Sequence, residues 1–159
     1  MMGCGKTTVA RALSKRLDWE LLDTDEWIVC RYGQISEIFA QKEEGYFRDL
    51  ETEAVRALPF GADTVVSVGG GLVLKAENVR LLKEQGKIVY LKAAKETLQR
   101  RLEGDTTRPL LAGEALSARL DELLSARSAI YEEAADAVIF VDEKTPAEIA
   151  DEIVKKFGL

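Results

Sequence analysis

The sequence opens with the segment that decides the fold, Met1-Met2-Gly3-Cys4-Gly5-Lys6-Thr7-Thr8. Its glycines let the backbone turn N–H groups inward around phosphate oxygens, and a helix that follows adds the positive end of its dipole. The ammonium group of Lys6 can reach the β- and γ-phosphates of a nucleotide, and the Thr7 hydroxyl can bind Mg²⁺. The alternative is a glycine-rich helix start that holds no ligand. The segment, with the helix and the acidic pair that follow it, predicts a phosphate-binding loop.

The full pattern of such a loop is G-x-x-x-x-G-K-[ST], and the loop normally follows a strand. With Gly5-Lys6-Thr7 as the end of the pattern, its first glycine would fall just before Met1. We therefore expect this sequence to lack the first strand and the first loop glycine. A shortened chain or a misassigned start at Met1-Met2 would each explain this.

The rest of the sequence alternates short apolar runs with amphipathic stretches of helical period. Strands are predicted at 19–22, 64–68, 87–91 and 137–141. Helices are predicted at 7–17, 25–32, 36–41, 46–58, 76–84, 95–103, 114–133 and 146–157. Strands separated by helices indicate a parallel sheet with helices on both faces. The prediction is one α/β domain over residues 1–159.

Composition narrows the functions that this chain can have. The net charge of −6 disfavours a general nucleic-acid binder, which needs a basic face. The chain contains no histidine, so catalytic triads with histidine and histidine-bound zinc are excluded. No apolar run approaches the ~20 residues of a membrane span. Cys4 lies in the glycine-rich loop, which favours a reducing, cytoplasmic setting.

Asp23-Thr24-Asp25 follows the first predicted strand. Ligands of α/β proteins bind at the carboxyl ends of the strands. There, one carboxylate can face Mg²⁺, usually through water, while the other accepts the proton of a substrate hydroxyl. The alternative is a helix N-cap, in which Thr24 or Asp25 holds free backbone N–H groups.

Three further segments carry residues typical of binding sites. Arg48, beside Phe47 in a predicted helix, can present its planar fork to a carboxylate, or can pair with Glu51 on the surface. The glycines at 69–71 let a ligand touch backbone, or simply form a tight turn. The polar loop 104–113 with Arg108 is typical of a closing lid. Arg127 lies far along the next helix and could turn back into the site. The alternative is a solvated side chain, as is usual for arginines on helices.

These segments, in this order and spacing, resemble the shikimate kinase family from Met1 to about Asp136. The most specific parts are the run Leu21-Leu22-Asp23-Thr24-Asp25, the Phe47-Arg48 helix, the three glycines, and Arg108-Pro109-Leu110-Leu111 with Arg127 downstream. The resemblance implies transfer of the γ-phosphoryl group of ATP to the 3-hydroxyl of shikimate, in the route to aromatic amino acids. The cofactors implied are ATP and Mg²⁺.

The resemblance also implies residue roles. Nucleotide binding falls to the loop and two arginines: Gly3, Cys4, Gly5, Lys6, Thr7, Thr8, Arg101 and Arg108. Mg²⁺ falls to Thr7 and Asp23, and catalysis to Lys6, Asp25 and Arg108. Shikimate binding falls to seven residues: Asp25, Phe39, Phe47, Arg48, Gly70, Gly71 and Arg127. The substrate-binding helices span about 26–58, and the lid spans about 104–113.

Two other functions stay open on the residues alone. One is another small-molecule kinase on the same scaffold, acting on gluconate or a nucleoside monophosphate. The other is a nucleotide-binding regulatory module without catalysis. In each case we expect a cytoplasmic monomer that binds small molecules and neither nucleic acid nor membranes.

Overall fold

The structure is a computed structural model that describes residues 1–103 and 113–159. In chain order the helices and strands are α1 (Lys6–Leu17), β1 (Glu20–Asp23), α2 (Thr24–Tyr32), α3 (Ile35–Gln41), α4 (Glu44–Ala57), β2 (Thr64–Ser67), α5 (Ala76–Gln85), β3 (Val89–Lys92), α6 (Lys95–Glu103), α7 (Gly113–Ala134), β4 (Ala137–Phe140) and α8 (Pro146–Phe157). A single 3-10 turn, Leu72–Leu74, follows the three glycines.

The strands pair in parallel, as predicted. β1 pairs with β2, which places Asp23 opposite Ser67, and β3 pairs with β4. Parallel partners need long crossovers, and helices supply both of them. Within the described ranges the strands form two separate two-stranded sheets rather than one continuous ladder. The α/β class is confirmed.

Two apolar clusters hold these elements together. The larger cluster joins the β3–β4 pair to the N-terminal loop and includes Cys4, Leu98, Leu120 and Ile139, all nearly inaccessible to solvent. The smaller cluster lies under α2, α3 and α4, and its members are Ile28, Ile38, Phe47, Leu50 and Ala54. No helix in the described part of the chain is long and apolar enough to cross a membrane.

Helix α4 begins at Glu44, two residues earlier than the sequence pattern indicates. Gly45 suggested a break, yet it lies in the first turn of the helix. Glu43 precedes the helix in an extended conformation. The earlier start places Glu44 one turn before Arg48, so the two side chains lie on the same face of α4.

Candidate active site

The N-terminal loop curls around its own first carbonyl group. Lys6 Nζ donates a hydrogen bond to the Met1 carbonyl oxygen at 2.7 Å, and Cys4 Sγ donates to the same oxygen at 3.1 Å. Gly3 and Gly5 have φ angles of 74° and 86°, a region that side chains disfavour. Gly5 leads directly into α1. The loop therefore presents a helix N-terminus and an ammonium group together, as an anion site requires.

Arg101 reaches this loop from the end of α6. Its Nη1 lies 3.2 Å from the Cys4 carbonyl oxygen and 3.4 Å from that of Gly3. Thr8, on the first turn of α1, is exposed. The structure therefore brings Arg101 into contact with the carbonyl groups of the N-terminal loop.

Thr7 and Asp23, the candidate magnesium ligands, both lie near the end of the β1–β2 pair. The Thr7 hydroxyl lies 3.5 Å from the Ser67 hydroxyl, and Ser67 is the strand partner of Asp23. Ser67 therefore links the two candidates at one corner of the sheet. Among the described residues, no group of three or more acidic or cysteine side chains is positioned to hold a metal ion. Mg²⁺ at phosphate sites usually takes only one or two protein ligands, with water and substrate phosphates completing the shell.

Asp23 is also the N-cap of α2. Its Oδ1 accepts hydrogen bonds from the backbone N–H groups of Asp25 at 2.9 Å and Glu26 at 3.3 Å. The sequence predicted Thr24 or Asp25 as the capping residue if this segment only caps a helix. That prediction is wrong, because the cap is Asp23. Thr24 is fully buried, and its hydroxyl accepts from the N–H of Gly69 at 3.0 Å. The end of β1 is therefore tied to the glycine turn.

The side chain of Asp25 is aimed at the glycine turn beside a second carboxylate. A Cβ atom at position 69 would lie 2.8 Å from Asp25 Oδ1 and 2.9 Å from Glu51 Oε1. Only glycine leaves room for both oxygens there. Position 70, the next residue, packs on the backbone of Met1, whose nitrogen would lie 3.5 Å from a Cβ atom. The glycine turn therefore contacts the side chain of Asp25 and also the Met1 backbone, whose carbonyl oxygen accepts from Lys6.

Arg48 is held between two carboxylates and the glycine turn. Its Nη1 donates to Glu51 Oε2 and its Nη2 to Glu44 Oε1, both at 2.6 Å. A Cβ atom at position 71 would overlap Nη1 and lie 2.6 Å from Cζ. The pairing with Glu51 that the sequence suggested does occur, but on a carboxylate that is only 1% exposed.

Charge and burial oppose each other in this pair. Burial raises the pKa of Glu51, against the hydrogen bond from Arg48, and the nearby Asp25 charge raises it further. Burial also disfavours the charge on Arg48, but its two carboxylate partners outweigh this and raise the Arg48 pKa. Arg48 therefore stays cationic, while Glu51 holds its proton to a higher pH than an ordinary glutamate.

Arg127 lies on α7 and is linked to the glycine turn through Tyr131. Tyr131, one turn further along α7, donates from its hydroxyl to the Gly70 carbonyl oxygen at 2.6 Å. Burial raises the pKa of Tyr131, and a hydrogen bond with Arg127 works in the opposite direction. Arg48 from α4 thus packs against the turn directly, whereas Arg127 from α7 is connected to it through Tyr131.

The two aromatic candidates lie next to each other. The ring centroids of Phe39 and Phe47 are 4.7 Å apart. Phe47 is buried in the smaller core cluster, whereas Phe39 is 45% exposed. Arg48 lies 5.7 Å from the centre of the Phe47 ring. The arrangement places an apolar wall beside the arginine fork.

A protein-family model described as "Shikimate kinase" matches residues 2–157. The chain belongs to the shikimate kinase family. A curated shikimate kinase of Thermodesulfovibrio yellowstonii is 40% identical over 157 residues, covering 98% of this chain and 90% of the relative. That of Moorella thermoacetica is 42% identical over 153 residues, covering 96% and 87%.

Solved structures agree with this family assignment. "Shikimate kinase from Acinetobacter baumannii in complex with shikimate" has a TM-score of 0.89 and 35% identity, and the match covers 98% of this chain and 88% of that one. The shikimate kinase of Aquifex aeolicus has a TM-score of 0.84 and 33% identity, with coverage of 99% and 92%. The single-domain kinase fold of the family is therefore the fold of this chain.

Within this shikimate kinase fold, sequence reasoning missed two residues that contact the candidate site, Ser67 and Tyr131. It named Thr24 and Glu51 only in the alternatives without a ligand. The serine in the apolar run before the three glycines was a signal for Ser67. Tyr131 gave no such signal, because a long-range contact decides its role. Arg108 and most of the predicted lid lie outside the described residues, and Gly113 already belongs to α7.

Proposed function

We propose that this chain transfers the γ-phosphoryl group of ATP to the 3-hydroxyl of shikimate, giving shikimate 3-phosphate and ADP. One observation carries the proposal. Asp25, Arg48 and the Met1 backbone of the phosphate loop pack against the glycine turn, and Tyr131, a hydrogen-bond partner of Arg127, donates to the Gly70 carbonyl oxygen. A small polyol with one carboxylate matches this set, since the arginines take the carboxylate and Asp25 takes a hydroxyl.

The nucleotide binds on the loop side. Backbone N–H groups of Gly3, Cys4 and Gly5 surround the phosphates, with Thr8 at the start of α1. Lys6 exchanges its bond to the Met1 carbonyl for phosphate oxygens. Arg101, already seated on the loop carbonyls, lies against the rest of the nucleotide. Thr7 and Asp23 hold Mg²⁺, which neutralises charge on the phosphates when it is bound.

Shikimate binds on the arginine side. Its carboxylate lies between Arg48 and Arg127, assisted by the N–H groups of Gly70 and Gly71, with Phe39 and Phe47 as an apolar wall. Asp25 accepts a hydrogen bond from the 3-hydroxyl and takes its proton. The hydroxyl oxygen forms a new bond to the γ-phosphorus as the bond to the ADP oxygen breaks. Arg108 supplies a cation to the transferring group, which is a main source of rate in such reactions.

An ADP-release assay with shikimate, gluconate and CMP as parallel acceptors tests the proposal. We expect turnover with shikimate and background rates with the other two. NMR of the product then locates the phosphate on the 3-hydroxyl. Preference for gluconate or CMP would mean a different kinase, and ATP binding without an acceptor would mean a regulatory module. We also propose that the protein is a monomer and lies in the cytoplasm. Light scattering of the purified chain tests the monomeric state.

A further inference from the structure

The two carboxylates on Arg48 differ in a way that matters for substrate entry. The Glu51 side chain is 1% exposed, whereas that of Glu44 is 65% exposed. Removing the buried partner would leave a charge without compensation inside the protein, which is costly. Glu44 can instead swing into water with little penalty. An incoming carboxylate therefore replaces Glu44 on Arg48, while Glu51 stays in place.

The position of Glu44 fits this exchange. The hydrogen bond from Arg48 lowers the pKa of Glu44, and the charges of Arg127 and Arg119 on α7 lower it further. The Glu44 carboxylate thus already lies in the electrostatic field of both Arg48 and Arg127. No other carboxylate in the described ranges forms an ion pair with Arg48 from an exposed position.

We infer that Glu44 is a built-in competitor for the substrate carboxylate, occupying Arg48 until a ligand carboxylate displaces it. The inference rests on the proposed function. Because displacement of Glu44 costs every carboxylate ligand the same free energy, Glu44 weakens the binding of all of them by a similar factor. Acetate has no further contacts to offset this cost, whereas the hydroxyls of shikimate also engage Asp25. Glu44 therefore lowers the affinity of the arginine site for carboxylates by occupying it.

The test compares Glu44→Gln with Glu43→Gln, using calorimetric titration of shikimate. Each variant removes one negative charge from the same turn, and Glu43 has no ion pair with Arg48 in the described structure. An exposed ion pair of this kind has a modest strength, so we expect Glu44→Gln to lower the shikimate Kd about two- to fivefold. Glu43→Gln should leave it nearly unchanged. Equal or weaker shikimate binding by Glu44→Gln would overturn the inference.

A second ligand separates displacement from a general structural effect. The methyl ester of shikimate keeps the hydroxyls and lacks the charged carboxylate, so Glu44→Gln should not improve its binding. Acetate should inhibit Glu44→Gln about two- to fivefold more strongly than the wild type, by the same factor as the change in shikimate Kd. An equal gain for acid and ester would refute the exchange. If the wild type fails to bind shikimate at all, the proposed function fails first, and the inference falls with it.

Discussion

Asp25 occupies a narrow place at the end of β1, where the N-cap of α2 fixes its backbone and Gly69 leaves room for its carboxylate. Asn has the same shape but accepts a proton far less readily. We therefore predict that Asp25→Asn lowers kcat by at least about 10²-fold, while the KM for ATP changes little. Asp49→Asn is the control, because Asp49 is exposed and pairs only with Lys75 among the described residues. Near-normal kcat in Asp25→Asn would remove the residue from its catalytic role.

Glu51 makes a prediction about stability rather than rate. Burial raises its pKa above the ordinary 4.5, so the folded chain binds more protons than the unfolded chain just above that pH. The stability from this group is complete below pH 4.5 and is lost as pH rises through the folded pKa. Urea unfolding should therefore show wild type losing stability relative to Glu51→Gln as the pH rises from 4.5 through the folded pKa of Glu51.

Glu148 provides a control of opposite sign. Its capping bonds with Thr145 lower its pKa from 4.5, so its contribution is present above that pH and fades as the pH falls through the folded value. The difference in unfolding free energy between wild type and Glu148→Gln should therefore become smaller as the pH falls below 4.5. The account of Glu51 is wrong if the difference between wild type and Glu51→Gln stays constant with pH.

At the scale of elements, the glycine turn after β2 is what brings the site together. Gly71 has φ −96°, which any residue adopts, so substitution there tests space alone. The new Cβ atom of Gly71→Ala must displace the Arg48 fork. We predict a fall of about 10- to 100-fold in kcat/KM for shikimate, mostly through KM. Steady-state kinetics with both substrates measures this.

Gly86→Ala is the matched control for this turn. Gly86 has an extended φ of 180°, and a Cβ atom there meets nothing within 4 Å. Its kinetics should stay within about twofold of wild type, as expected for an open surface site. Wild-type KM in Gly71→Ala would mean that Arg48 does not hold the substrate carboxylate.

The sequence predicted the elements well where local signals are strong. Pro146 and the Thr145–Glu148 pair define the start of α8, and the structure shows a complete capping box there. The Lys95–Glu103 helix also has the predicted bounds. The start of α4 was missed because Gly45 reads as a breaker although tertiary contacts outweigh its low propensity. That error hid the Glu44–Arg48 pair.

At the scale of the molecule, one hydrogen bond links α7 to the glycine turn. Tyr131→Phe removes the hydroxyl that binds the Gly70 carbonyl oxygen and leaves that oxygen without this donor. We predict a loss of about 1 kcal/mol in unfolding free energy. For a chain of this size, this corresponds to a fall of roughly 2–4 °C in Tm. The shikimate KM should rise as well, because Arg127 loses its neighbour.

Tyr32→Phe is the control for that experiment. Tyr32 also donates a hydrogen bond, to Glu53 at 2.7 Å, but on the surface. Its removal should leave both Tm and KM unchanged, since water replaces the lost partner. Equal melting shifts in the two variants would argue against a special link between α7 and the turn.

The sequence could not predict which distant segments of the chain contact each other. The order of motifs placed Lys6, Asp25, Arg48 and Arg127 in one site through resemblance to a family. The structure relates their elements through pairings such as Ser67 with Asp23 and Tyr131 with Gly70, which are long-range and have no local pattern. The division of the described strands into two pairs could not be predicted either, because the sequence of a strand does not determine which strand it pairs with.

The most direct measurement is a crystal structure with shikimate, Mg²⁺ and a non-hydrolysable ATP analogue bound together. The account predicts the 3-hydroxyl oxygen within about 2.6–3.2 Å of an Asp25 carboxylate oxygen. The same oxygen should lie about 3–3.5 Å from the γ-phosphorus, with Lys6 on the phosphates. Shikimate bound away from Asp25, or phosphates bound away from Lys6, would contradict it.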